Sequence, residues 1–389
     1  MTFVALRAKS MNQLKKTVKK MSIIISSGLL LVIVIGVLFL YLSPEFGGTP
    51  TMEQKTIYTK SPNYKDGKFI NKEHVKLDMS MRDMGKSLAG YFGASPLTKP
   101  SRDIPVEKLD SLDIVNYKDS TRLIWFGHSA FLLQTNNKTI LIDPMFGKVA
   151  APHPMLGSNR FSRELPIAVE KLPVIDAVII SHDHYDHLDY GSIQKLKEKV
   201  NMFYTPLGVG AHLQKWGVEK ERIVELDWWQ EVTHEGLVFR CTPAQHFSGR
   251  GFTDRANTLW SSWIVQSEND NIFFSGDSGY GPHFKEIGDK YGPFDFAMIE
   301  CGQYNEMWPD IHMFPEETAQ AGLDVKAKQI MPIHWGAFKL AMHPWTEPVE
   351  RLSKKAKELN LDLITPRIGE SFNIHKLNVL TAEWWKKSE

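Results

Sequence analysis

Nine consecutive residues, Ser181-His182-Asp183-His184-Tyr185-Asp186-His187-Leu188-Asp189, carry three histidines and three aspartates. Imidazoles and carboxylates at this density are ligands for a divalent transition metal. The bland alternative, a run of solvated polar side chains, does not explain their position. They follow Ala177-Val178-Ile179-Ile180, an apolar, largely β-branched run of the kind found in strands buried on both faces. Polar groups gain nothing at the end of such a strand unless something satisfies them. Side chains alternate along an extended chain, so His182 and His184 point to one side. A turn after them can bring Asp186 and His187 to a neighbouring point. Two ligand pairs side by side suggest two ions.

Three other apolar runs stop at a ligand-type residue. His246 follows Leu237 to Pro243, Asp277 follows Ile272 to Gly276, and His334 follows Ile330 to Ile333. If these strands lie beside one another, their C-terminal ends form one rim, where ligand sites of sheets collect. Catalytic zinc takes three protein ligands and keeps one position open. One ion can take His182, His184 and His246. The other can take Asp186, His187 and His334, with Asp277 bridging both. Such a pair ionises a water near neutral pH and draws charge from a carbonyl or phosphoryl oxygen, so Asp186 and Asp277 count as catalytic residues as well. Asp189 is the candidate for orienting the imidazoles.

His182-x-His184-x-Asp186-His187, followed by His246, Asp277 and His334, resembles the metallo-β-lactamase superfamily over roughly residues 110–375. The surrounding words narrow the resemblance. Trp125-Phe126-Gly127-His128-Ser129-Ala130-Phe131, Pro243-Ala244-Gln245-His246-Phe247, Gly276-Asp277-Ser278-Gly279-Tyr280 and Ile333-His334-Trp335-Gly336 are similar to the branch containing N-acylphosphatidylethanolamine-hydrolysing phospholipase D. The resemblance implies a four-layer αββα sandwich, the ligand roles above, and a catalytic place for His312 just before Pro315-Glu316-Glu317. It implies a dinuclear zinc hydrolase that attacks a phosphodiester, a phospholipid headgroup linkage among them. The same nucleophile attacks carbon, so a lactone or β-lactam is the alternative substrate. A non-catalytic metal-binding envelope protein is the alternative of another class, and the presence of all seven ligands argues against it. Phe247-Ser248-Gly249-Arg250-Gly251 and the N-terminal apolar run depart from the animal lipases of that branch.

Substrate contacts are less sharply marked. His128, in the turn Gly127-His128-Ser129, can bind or protonate a leaving group, or simply close the turn. Tyr280 and Trp308 can line the site or pack. Gly276-Asp277-Ser278-Gly279 also spells the nucleophile segment of trypsin-like proteases, but no companion His and Asp segment accompanies it. His153, His212, His234, His283, His343 and His375 have no ligand context.

The elements that must position these residues are short. Strands are expected at 123–126, 130–134, 139–142, 177–180, 202–204, 223–226, 237–243, 259–265, 271–275, 294–300 and 329–333. Helices are expected at 191–200, 209–216, from Pro315, and at 347–359, with a weak signal near 79–90. Ahead of them, residues 1–21 hold six basic and no acidic side chains, and Ser22 to Leu42 holds no charge. At about 1.5 Å per residue that run spans the roughly 30 Å hydrocarbon layer. Its length and the poor cleavage site Leu42-Ser43-Pro44-Glu45 point to an uncleaved signal anchor. The positive-inside rule then leaves 1–21 as a cytoplasmic tail of a single-pass cell-membrane protein, with the rest outside. Residues 43–110 read as a linker and 111–389 as the hydrolase domain. A net charge of +1 over 389 residues gives no sign of a nucleic-acid partner. Two cysteines make no zinc finger or disulfide framework. Trp384-Trp385-Lys386-Lys387 is either a membrane-touching tail or a packed end.

Overall fold

A computed structural model describes residues 3–75, 85, 90, 93, 95–118, 120–376 and 383–387. The weak helical signal near 79–90 falls largely outside them. The chain divides into two units, Met1–Phe46 and Gly47–Glu389.

The first unit holds the long helix Phe3–Leu42 and a single 3-10 turn, Pro44–Phe46. Its stretch Ser10–Leu42 is long and apolar enough to cross a membrane. Lys15, Lys16, Lys19 and Lys20 lie on the same unbroken helix.

In the second unit the strands are Tyr64–Lys65 (β1), Lys68–Phe69 (β2), Arg122–Trp125 (β3), Phe131–Thr135 (β4), Lys138–Ile142 (β5), Ile175–Ile179 (β6), Val200–Pro206 (β7), Ile223–Leu226 (β8), Glu231–His234 (β9), Leu237–Thr242 (β10), Ser262–Gln266 (β11), Asn271–Phe274 (β12), Phe296–Glu300 (β13), Gln329–Ile333 (β14), Asp362–Leu363 (β15) and Ser371–Asn373 (β16). They form a small hairpin and two seven-stranded mixed sheets, ordered β16-β3-β4-β5-β6-β7-β8 and β15-β14-β13-β12-β11-β10-β9. Alternation along the strands builds the layers. Ala177 and Ile179 of β6 join a central core with Trp263, Phe274, Met298 and Ile333 of the other sheet. Val178 and Ile180 face outward onto Ile193, Leu196 and Leu213 of the helices Tyr190–Leu196 and Gly210–Lys215. On the far side Phe273, Ala297 and Ile330 pack on Ile287, Ala321 and Leu352 of the helices His283–Tyr291, Pro315–Asp324 and Glu347–Leu359. The result is the four-layer αββα sandwich.

One expectation changes, and one pair of alternatives is decided. Residues 47–75 belong to the compact unit and are no linker: Tyr58 and Phe69 are in the central core. The terminal indoles are also core. Trp384 and Trp385 are 6% and 1% exposed, and Trp384 stacks on Trp335 at 5.5 Å between ring centroids. Burying two indoles there removes them from any membrane surface.

Candidate metal centre

The ligand-type residues all leave C-terminal strand ends at one edge of the sandwich, but from two facing sheets and not one continuous rim. β6 delivers His182 to His187. β10, β12 and β14 of the other sheet deliver His246, Asp277 and His334. Two groups of four result, each with its donor atoms within 4.8 Å of one another: His182, His184, His246 and Asp277, and His128, Asp186, His187 and His334.

In the first group His182 Nε2 lies 2.9 Å from His184 Nδ1, which lies 3.2 Å from His246 Nε2. His246 Nδ1 donates to the Ile311 carbonyl at 3.0 Å, which turns Nε2 inward. In the second, His187 Nδ1 donates to Asp143 Oδ2 at 2.7 Å, and the same carboxylate accepts from Ser181 N at 2.7 Å. His334 Nε2 is 3.0 Å from both Asp186 Oδ2 and Asp277 Oδ2. Asp277 reaches the two groups together: Oδ1 is 3.1 Å from His187 Nε2, while Oδ2 is 3.8 Å from His182 Nε2 and 3.7 Å from His246 Nε2.

These donors fit a metal. Ligand atoms about 2.0–2.1 Å from a tetrahedral ion sit about 3.3 Å from each other, within the spread found here. His187 Nε2 and Asp277 Oδ1 are buried, face each other and make no hydrogen bond. Among the described residues no Lys or Arg pairs with Asp186 or Asp277; their ionic partners are histidines. A buried carboxylate, Asp277, beside a half-buried one, Asp186, is costly without a cation. Burial and the neighbouring imidazoles hold His182 and His246 in the neutral form that binds metal. Burial also opposes charge on His187 and His334, yet Asp277 and Asp186 outweigh it, raising His187 well above its ordinary value and His334 to about 10. The field of the carboxylates calls for positive charge at this point.

Other residues stand elsewhere than expected. His128, at φ 58°, is fully buried beneath the group, with Nε2 on Asp186 Oδ2 at 2.8 Å. It holds a carboxylate and does not face an open space. Tyr280 points away: its hydroxyl donates to Asp324 at 2.6 Å and its ring stacks on Phe284. Just before it, Gly279 lies so close to the Asp310 carbonyl that a Cβ would come within 1.9 Å of the oxygen. Asp189 caps the helix Tyr190–Leu196 through Ser192 N at 2.7 Å and orients no imidazole. Asp143 does that instead. Asp183 bonds Gly249 N, Thr258 and His212. Ser278 Oγ lies 3.0 Å from His283 Nε2, but the hydroxyl proton goes to the Gly279 carbonyl at 2.7 Å, so the imidazole is no base for it.

Above the donors opens a cavity of about 310 Å³. Its lining joins the polar His184, Asp186, Asp277, Gln303, His312 and His334 with the apolar Met307, Trp308, Ile311 and Leu340. Trp308 is fixed by Nε1 donating to the Gln303 carbonyl at 2.9 Å. His312 stacks on His334 and donates Nδ1–H to Glu300 Oε1 at 3.2 Å. Glu300, fully buried at the end of β13, also accepts from Met313 N at 2.9 Å. Sequence reasoning passed over Glu300 and Asp143, although each ends a buried strand as the ligands do.

A family model described as "Beta-lactamase superfamily domain" matches residues 138–335. An uncharacterized protein of Mycobacterium tuberculosis is 39% identical over 335 residues, covering 84% of this chain and 88% of that one. The chain belongs to the beta-lactamase superfamily. With His/Asp clusters able to hold metal, it is a metal-dependent hydrolase of that superfamily. An N-acyl-phosphatidylethanolamine-hydrolyzing phospholipase D of Caenorhabditis elegans is 33% identical over 244 residues, 59% of this chain and 68% of that one. A possible metal-dependent hydrolase from Veillonella parvula shares the fold at a TM-score of 0.53 and 16% identity, covering 66% of this chain and 100% of that one.

Proposed function

We propose that this superfamily member is a membrane-anchored dinuclear zinc hydrolase of phosphodiesters, with N-acylphosphatidylethanolamine as first candidate. One observation carries the reading: the Asp277 carboxylate reaches both histidine groups at the base of an apolar-walled cavity. His182, His184 and His246 would hold one ion, Asp186, His187 and His334 the other, and Asp277 both. Bound zinc supplies a water of lowered pKa and Lewis-acid polarisation of the substrate oxygen. The nematode relative supports the lipid class, and the helix Ser10–Leu42 supports a membrane site, with the basic end inside and the catalytic unit outside.

The chain's own residues supply the rest. His128 Nε2 holds Asp186, and the Gly302 carbonyl holds His334 Nδ1 so that its Nε2 faces the ion. Met307, Trp308, Ile311 and Leu340 offer the apolar part of a substrate a dry wall. His312, with Nδ1–H engaged by Glu300, keeps the Nε2 lone pair for the cavity, where it would take a proton released by the attacking water and hand it to the leaving oxygen. His312→Gln should therefore lower kcat by about 100-fold while zinc content stays unchanged. Unchanged kcat would remove His312 from the chemistry.

The substrate test uses the full chain in detergent. It should hold two zinc ions and cleave N-acylphosphatidylethanolamine in preference to an acylated lactone or a β-lactam. Faster turnover of the lactone would overturn the phosphodiester assignment, and metal-free, inactive protein would overturn the whole reading. Cys241 and Cys301 are both free and buried, so topology is better read from cysteines introduced at exposed positions.

A further inference from the structure

We infer that Asn71, far upstream of the stretch matched by the family model, is a positioning residue for His246 and so tunes one metal position.

A single side-chain amide grips both backbone groups of His246. Asn71 Nδ2 donates to the His246 carbonyl at 2.7 Å, and Asn71 Oδ1 accepts from His246 N at 3.1 Å. Oδ1 also accepts from Trp260 Nε1 at 3.0 Å. Both indole and backbone N–H donate and the carbonyl accepts, so only this orientation of the amide satisfies all three bonds. The ring of His246 is held separately by the Ile311 carbonyl. Backbone and ring are thus fixed by different segments, which leaves Nε2 little freedom.

The segment that brings Asn71 is built for delivery. Tyr58, Tyr64 and Phe69 pack edge-on and tilted against each other, with centroids 4.9–6.0 Å apart. Phe69 N donates to the Ala256 carbonyl at 2.8 Å, and Lys68 Nζ bonds the Arg255 carbonyl and Asn257 Oδ1, each at 2.7 Å. Ile70 N donates to Asn63, whose Nδ2 holds Asp227 at 2.9 Å. The β1–β2 hairpin is therefore locked beside residues 255–257, and the chain leaves it at Asn71. Partners that orient a metal-binding histidine typically change metal affinity 10- to 100-fold when removed.

The inference rests on His246 being a zinc ligand, so the experiment includes that control. Full-length protein is titrated with zinc against a chromophoric chelator, as wild type, Asn71→Leu, Asn71→Asp and His246→Ala. Melting of the metal-free forms is measured beside it. Asn71→Leu removes all three bonds, while Asn71→Asp keeps the acceptor and sets a carboxylate against the His246 carbonyl. The expected result is that one zinc equivalent weakens about 10- to 100-fold in both variants and the other stays as in wild type. Two equivalents held as in wild type would overturn the inference. So would both weakening together in step with a lower metal-free melting point, the mark of a general structural role. If His246→Ala itself keeps two equivalents, the ligand assignment fails first, and that result is distinct from the other two.

Discussion

Replacing Asp277 with Asn should lower kcat/KM on a simple phosphodiester by about 1000-fold or more. Asparagine matches the shape of aspartate and removes its charge. The carboxylate is buried and lies within 3.1 Å of His187 and 3.0 Å of His334, with His182 and His246 just beyond. No other carboxylate spans the two histidine groups among the described residues. The neutral amide can offer one oxygen, so zinc content should fall from two towards one or none. Asp189→Asn provides the contrast. That residue caps a helix, asparagine caps as well as aspartate, and activity and zinc content should stay near wild type. Comparable losses in the two variants would mean that charge at this edge matters generally and that Asp277 bridges nothing.

Stripping the metal should lower the melting temperature of the Gly47–Glu389 unit by on the order of 10 °C. An ion that binds only the folded chain adds about 4 kcal/mol when free metal exceeds Kd by about 1000-fold, and two sites add in proportion. The unfolded chain cannot gather these donors, because they come from strand ends spread from His182 to His334. Without cations, buried Asp277 and half-buried Asp186 are left with histidines alone as partners. Differential scanning calorimetry with and without dipicolinate, followed by zinc addition, measures the effect. A melting point indifferent to the chelator, with no zinc released, would sink the metal-centre reading.

Much of the sandwich was legible because its strands are short, apolar and punctuated. β14 and β8 and the helix Glu347–Leu359 fall where the pattern puts them. β9 escaped notice because Glu231-Val232-Thr233-His234 is a half-exposed edge strand with one apolar residue. The helix His283–Tyr291 is short and carries Gly288 where it packs on the Asp324 carbonyl, so its period is blurred. At the site, histidines announce themselves, while a lone acid at a strand end looks like any turn residue. Asp143 and Glu300 act through partners 44 and 12 residues away, which no local pattern encodes. Tyr280 and Asp189 were misplaced for the complementary reason. Proximity in sequence to Asp277 and His187 does not fix the direction of a side chain.

The donors divide between facing sheets, and neither sheet holds a complete set. Each ion would then act as a cross-link across the sandwich, comparable to a staple between two boards. Side-chain volume lost or gained at the sheet-to-sheet seam, at Ile179, Trp263 or Phe274, would shift one board against the other. An offset of a few tenths of an ångström is trivial for a hydrophobic seam and large for a coordination sphere. Selection on catalysis therefore extends into the interior packing, and drift in the core would register as altered metal preference well before it registers as unfolding.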